Sequence, residues 1–103
     1  MGELNGVIHQ PARLRIMAAL NAVSRGRQIE FSGLGKMLEL TDGNLGSHLQ
    51  TLETAGYIQI EKTFVDRKPK TLVSATAKGR NEFAEHVAAL QEIIAGAKRP
   101  RGE

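Results

Sequence analysis

Residues 40–58 read "LTDGNLGSHLQTLETAGYI". Leu45, Leu49 and Leu52 recur at i, i+4 and i+7, the spacing of one buried helical face. Thr41 is suited to cap the start of this helix and Gly56 to stop it, which predicts a helix running to about Ala55. The helix nevertheless holds Gly43 and Gly46, and a mid-helix glycine costs about 1 kcal/mol relative to alanine. On a helical wheel the three leucines fall within about 60° of one another. Opposite them lie Gly43, Asn44, Ser47, Gln50, Thr51 and Thr54, with His48 on the boundary.

No residue between Asp42 and Glu53 carries a formal charge. A merely solvated helix face would be filled with Lys and Glu, the best exposed helix formers. Amides and hydroxyls are poorer helix formers but good readers of base edges: Asn and Gln pair bidentately with adenine, and Ser or Thr serves as donor or acceptor. Gly43 allows the first turn to approach a phosphate or base edge, where the unpaired N–H groups favour an anion. Gly46 lies on the flank, where close packing against the preceding element is the expected reason for it. The polar face therefore reads as one that lies against DNA.

Upstream, residues 1–8 carry no clear pattern. From Pro11 to Ser24, Leu14, Met17, Ala18, Leu20 and Val23 give a helical period, with Pro11 in a first turn and Gly26 as the stop. Gln28 to Glu30 has room for a small strand. Phe31, Leu34 and Leu38 predict a second helix of about two turns, ended by the tight break at "ELTD".

Downstream the period changes to 2. In "YIQIEKTFV", Ile58, Ile60 and Phe64 fall on one face, and "TLVSA" at 71–75 gives a second strand. "DRKPK" between them is expected to be the hairpin tip, with Pro69 discouraging further pairing. Thr76 can cap a last helix to about Gly96, along which Phe83, Val87, Leu90, Ile94 and Ala97 form a heptad-like stripe. The result is one α+β domain over residues 1–103, mostly helical.

The chain holds 14 basic and 11 acidic residues, a net charge of +3 and a pI near 9.6. The balance is mild, but six of the cations (Lys62, Arg67, Lys68, Lys70, Lys78 and Arg80) fall between 62 and 80 against one acid, Asp66. The run "KRPR" at 98–101 adds three more. Such clusters are an electrostatic footprint for polyanions. Cysteine is absent, which removes disulfides, thiolate metal sites and a cysteine nucleophile and fits a reducing compartment. Neither a leader pattern nor a bilayer-length apolar run appears, so a soluble cytoplasmic protein without membrane contact is expected.

"LTDGNLGSHLQTLETAGYI", the basic hairpin and "TAKGR" together resemble the winged helix-turn-helix regulators of the MarR and ArsR type, and "HQPARLRIMAAL" looks like the opening helix of that group. The resemblance covers roughly residues 7–90. It implies a winged helix-turn-helix fold with a helix-turn-helix at about 31–55, a wing at about 57–75 and a dimerisation helix at about 77–96. It also implies a homodimer that binds double-stranded DNA and regulates transcription, expected to be a repressor occupying an operator. By the resemblance, Asn44, Ser47, His48 and Gln50 lie near the major groove, with Thr41, Asp42, Gly43 and Thr51 beside them, and Arg67 lies in the wing. Phosphate contacts are expected from Arg13, Lys36, Lys62, Lys68 and Lys70. Dimer contacts are expected from Leu14, Met17, Phe83, Val87, Leu90 and Ile94. At Gly46 many relatives carry Ser or Thr, so the phosphate contact of that hydroxyl is missing here.

Two other function classes stand beside this one. A winged helix can serve as a protein-binding module, although such a module has no need of a basic tip. RNA binding is disfavoured, because the A-form major groove is too deep and narrow for the helix and no aromatic stacking face exists. For catalysis the sequence offers no phosphate loop of the usual spacing, no His–Glu metal helix and no nucleophile elbow. Glu82 and His86 stand at i, i+4 and are expected to be an exposed pair rather than metal ligands. A non-enzyme without cofactor is expected.

Overall fold

A computed structural model describes residues 3–98. Seven elements follow in the order α1 (Pro11–Ala22), β1 (Ile29–Glu30), α2 (Phe31–Leu38), α3 (Asp42–Thr54), β2 (Ile58–Val65), β3 (Lys68–Ala75) and α4 (Ala77–Lys98). The three strands form one antiparallel sheet in the order β1-β3-β2. The basic run at 98–101 lies outside the described residues, save for the backbone of Lys98. No helix among the described residues is long and apolar enough to cross a membrane.

Local chemistry sets most of the boundaries. α1 starts at Pro11, which has no N–H to leave unpaired, and the Gln10 side chain accepts from the Arg13 N–H at 2.9 Å. α2 closes at Glu39, whose left-handed backbone (φ 55°) turns the chain sharply into α3. The Thr41 hydroxyl accepts from the Asn44 N–H at 3.2 Å, and Gly56 stops α3 with a φ of +83°. The Thr76 hydroxyl then performs two tasks, donating to the Gly56 carbonyl at 2.7 Å and accepting from the Gly79 N–H at 3.0 Å. α1 ends at Ala22, and Gly26 (φ 85°) serves the turn beyond it rather than the helix stop itself.

The core lies where α1, α2 and α3 meet the inner face of the sheet. Ile16, Met17, Leu20, Leu34, Leu45, Leu49, Leu52 and Val73 are wholly or almost wholly buried there. Burying such side chains stabilises the fold by roughly 1.5–3 kcal/mol each. Met17 is thus spent in the chain's own core, a correction to its expected place at a dimer contact. Phe83 packs half-buried on the same core, and α4 buries His86 and Ala89 beside it, so the buried stripe of α4 is offset from the one read from heptad spacing. Beyond Leu90 every residue from 91 to 97 is exposed, and Ile93 and Ile94 are 55% and 53% accessible.

Three sequence expectations need physical correction. Pro69 does not end the pairing: β3 begins at Lys68, and Pro69 lies opposite Phe64. With Val65 and Lys68 closing a two-residue turn, the Phe64–Pro69 pair is a non-hydrogen-bonded one, so the missing N–H is not needed by β2. Phe64 is 73% exposed although it shares a face with Ile58 and Ile60, because the helices cover only the base of the hairpin. A Cβ at Gly46 would meet nothing within 4 Å, so close packing does not explain that glycine. Gly35 of α2 is the buried glycine that faces α3, and a Cβ there would make only an ordinary contact, 3.5 Å from the Leu45 side chain.

Candidate nucleic-acid interface

α3 presents Thr41, Asp42, Gly43, Asn44, Ser47, Gln50 and Thr51 as an exposed row, while Leu45, Leu49 and Leu52 anchor its opposite face. The row is held in place from within: the Thr51 hydroxyl donates back to the Ser47 carbonyl at 3.3 Å, which leaves its lone pairs outward. The N-terminal segment, which carries no clear sequence pattern, borders this row. Val7 joins Ser47, Gln50, Thr51, Thr54 and Ala55 around an open concavity of about 450 Å³. The legible signal for this was Asn5-Gly6, a turn-forming pair. Asn5 Oδ1 accepts from the N–H groups of both Val7 (2.9 Å) and Ile8 (3.0 Å) and folds the segment back.

The hairpin tip consists of Asp66 and Arg67, both left-handed, with φ of 52° and 67°. Two successive positive φ values define a type I′ turn, whose twist matches that of the flanking strands. Asn-Gly is the usual pair at such a turn, so Arg67 sits there against its backbone preference. Its guanidinium is carried at the outermost point of the ribbon, with Lys62 and Lys68 also exposed on the hairpin.

The other cations of the cluster have partners within the chain. Lys70 Nζ lies 3.2 Å from Glu30 Oε2, and the Ser32 hydroxyl together with Lys70 holds the Glu30 carboxyl below the usual carboxylate range. Lys78 Nζ lies over the Tyr57 ring, 5.6 Å from its centre. Arg80 turns inward, donating to the Val23 carbonyl at 3.2 Å at the end of α1. Arg13 donates to the Val7 carbonyl at 2.6 Å and to His48 Nδ1 at 3.3 Å. That contact holds His48 half-buried at the edge of the row. Arg13 and Lys70, expected on phosphates, are therefore engaged inside the chain, whereas Lys36, Lys62, Arg67 and Lys68 are exposed.

The comparisons with known proteins agree with this geometry. A model of the winged helix DNA-binding domain matches residues 12–94. The chain belongs to this winged-helix family.

The uncharacterized protein MJ0432 of Methanocaldococcus jannaschii is 33% identical over 81 residues, which cover 79% of this chain and 85% of that protein. A structure described as the transcriptional regulator homologue protein from Pyrococcus horikoshii OT3 superposes with a TM-score of 0.82 at 35% identity, covering 90% of this chain and 89% of the other. The S. aureus MepR–DNA complex shares the fold at a TM-score of 0.70 with 15% identity, over 89% of this chain and 73% of that one. In winged-helix terms α2 and α3 form the helix-turn-helix, and β2 and β3 form the wing.

A polar cluster behind the winged helix escaped the sequence reading. His86, expected to be exposed with Glu82, is completely buried. Its Nδ1 accepts from the Asn5 N–H at 2.9 Å, and its Nε2 lies 3.4 Å from His9 Nδ1. Asn5 Nδ2 donates to the Tyr57 hydroxyl at 2.8 Å and to Glu82 Oε2 at 3.2 Å. Burial, reinforced by His9, holds the His86 pKa below its ordinary value. The Asn5 N–H donor on Nδ1 would act in the same direction, since a proton there would face it.

Proposed function

We propose that this chain is a homodimeric, sequence-specific DNA-binding regulator of the MarR/ArsR type, which represses transcription by occupying an operator in the cytoplasm, without catalysis. The observation that carries this reading is the exposed polar row of α3, uncharged from Gly43 to Thr51, flanked by the exposed cations of the wing. Asn44, Ser47 and Gln50 read base edges in the major groove, and Thr41, Asp42, Gly43 and Thr51 border them. Lys36, Lys62 and Lys68 contact phosphates, and Arg67 enters the adjacent minor groove, where Arg is favoured by narrow A·T-rich geometry. Arg13 and Lys70 position neighbouring elements instead.

Dimerisation rests on α4. Its last turns leave Ile93 and Ile94 uncovered, and a two-fold partner would cover them along with Val87 and Leu90. A two-fold pair would present two α3 helices about one DNA turn, ~34 Å, apart. The relative from Pyrococcus horikoshii is described as a transcriptional regulator homologue, which supports the same reading.

Selection from a random-sequence duplex pool at two salt concentrations, followed by sequencing, tests this proposal. An enriched inverted repeat and salt-sensitive binding are expected. Retention without sequence enrichment would contradict an operator reader.

A further inference from the structure

The wing face turned toward α3 carries a row of side chains that changes character along its length. Ile58 is buried, Ile60 is half-buried, and Lys62 and Phe64 are exposed. Val73, Thr71 and Pro69 stand opposite Ile60, Lys62 and Phe64 on β3. Where the cover of the helices ends, a cleft of about 270 Å³ opens between α3 and the wing, lined by Phe31, Gly46, Leu49, Ile60, Lys62 and Thr71. Gly46 keeps it open, since a side chain at that position would project into unoccupied space. Just beyond it stand Phe64, 73% accessible, and its cross-strand neighbour Pro69, also exposed.

We propose that this cleft seats one DNA backbone strand, with Phe64 and Pro69 packed on its deoxyribose rings and Lys62 on a phosphate. The inference rests on the DNA-binding reading above, which already places Lys62 on a phosphate, and extends it to Phe64, Pro69 and Gly46, which that reading leaves idle. The occupant follows from the chemistry of the lining. A nucleic-acid backbone alternates an anion with an apolar sugar, and the cleft offers a cation at its mouth followed by a phenyl and a pyrrolidine ring. A duplex that places α3 in its major groove and the wing tip in the next minor groove carries the intervening strand across this gap. Gly46, costly in a helix, is then retained for the room it leaves.

The test measures DNA affinity against salt for Phe64→Ser, Gly46→Leu and Lys62→Gln, on a duplex that the wild-type protein binds, with thermal melts alongside. Phe64→Ser is expected to weaken binding about tenfold at every salt concentration with an unchanged salt slope, because an apolar contact releases no counterion. Lys62→Gln is expected to reduce the slope by about 0.9, the value for one phosphate. Gly46→Leu is expected to weaken binding while the melting temperature is maintained. Wild-type affinity in both Phe64→Ser and Gly46→Leu would overturn the seat. Phe64→Ser that alters the oligomeric state but not DNA affinity would overturn it in favour of a protein contact. Failure of the wild-type protein to bind any duplex would instead overturn the DNA-binding reading beneath it.

Discussion

Arg67 shows how a single residue can be kept against its local preference. Its φ of 67° is a left-handed conformation that glycine adopts without penalty and a side-chain-bearing residue does not. Arg67→Gly is therefore expected to stabilise the hairpin by about 1 kcal/mol and yet to lower DNA affinity. Thermal melts and binding isotherms of the same variant check both halves, and a variant less stable than wild type would show that no strain is stored. His86 is the second such residue. Its folded pKa lies below the ordinary value of 6.5, so the unfolded chain binds the proton more tightly. Its contribution to stability is intact above that value and is lost as pH falls through it toward the folded pKa. Melting temperature should fall between about pH 7.5 and 5.5, and less steeply in His86→Leu, which cannot titrate. His9, Glu82 and Tyr57 surround the same site, so the comparison between the two proteins, not the wild-type curve alone, is decisive.

At the scale of elements, α3 was legible because its leucine spacing, Thr41 cap and Gly56 stop are all local signals that agree with one another. The wing strands were legible from their alternation for the same reason. The exposed row opposite the leucines followed directly from that register. What escaped depends on partners far along the chain: the Asn5 N–H reaches His86 across 81 residues, and Met17 is enclosed by helices whose arrangement no local period encodes. The wing turn escaped because Asp-Arg is an unusual occupant of a type I′ turn, and Pro69 suggested a longer loop. Gly79 joins elements in a comparable way, since a Cβ there would collide with the Tyr57 carbonyl at the junction of α3 and β2. Gly79→Ala must therefore push α4 off the wing base. It is expected to destabilise the fold by about 1–3 kcal/mol, measured by denaturant unfolding. Wild-type stability would mean that α4 is not docked as described.

Over the whole molecule, function depends on two surfaces with different tasks. On the proposed reading α3 and the wing would face DNA, and the far end of α4, a helix of 22 residues whose last turns are exposed, would meet a second copy. Phosphate contacts supply affinity that falls with salt and is blind to sequence, whereas discrimination comes from base edges. The most direct test of this division compares wild type, Asn44→Ala and Gln50→Ala on the duplex selected from the random pool and on a scrambled duplex of equal length. A loss of about 1–3 kcal/mol is expected on the selected duplex, with no change on the scrambled one and an unchanged salt slope. Equal losses on both duplexes would contradict a reading role for α3.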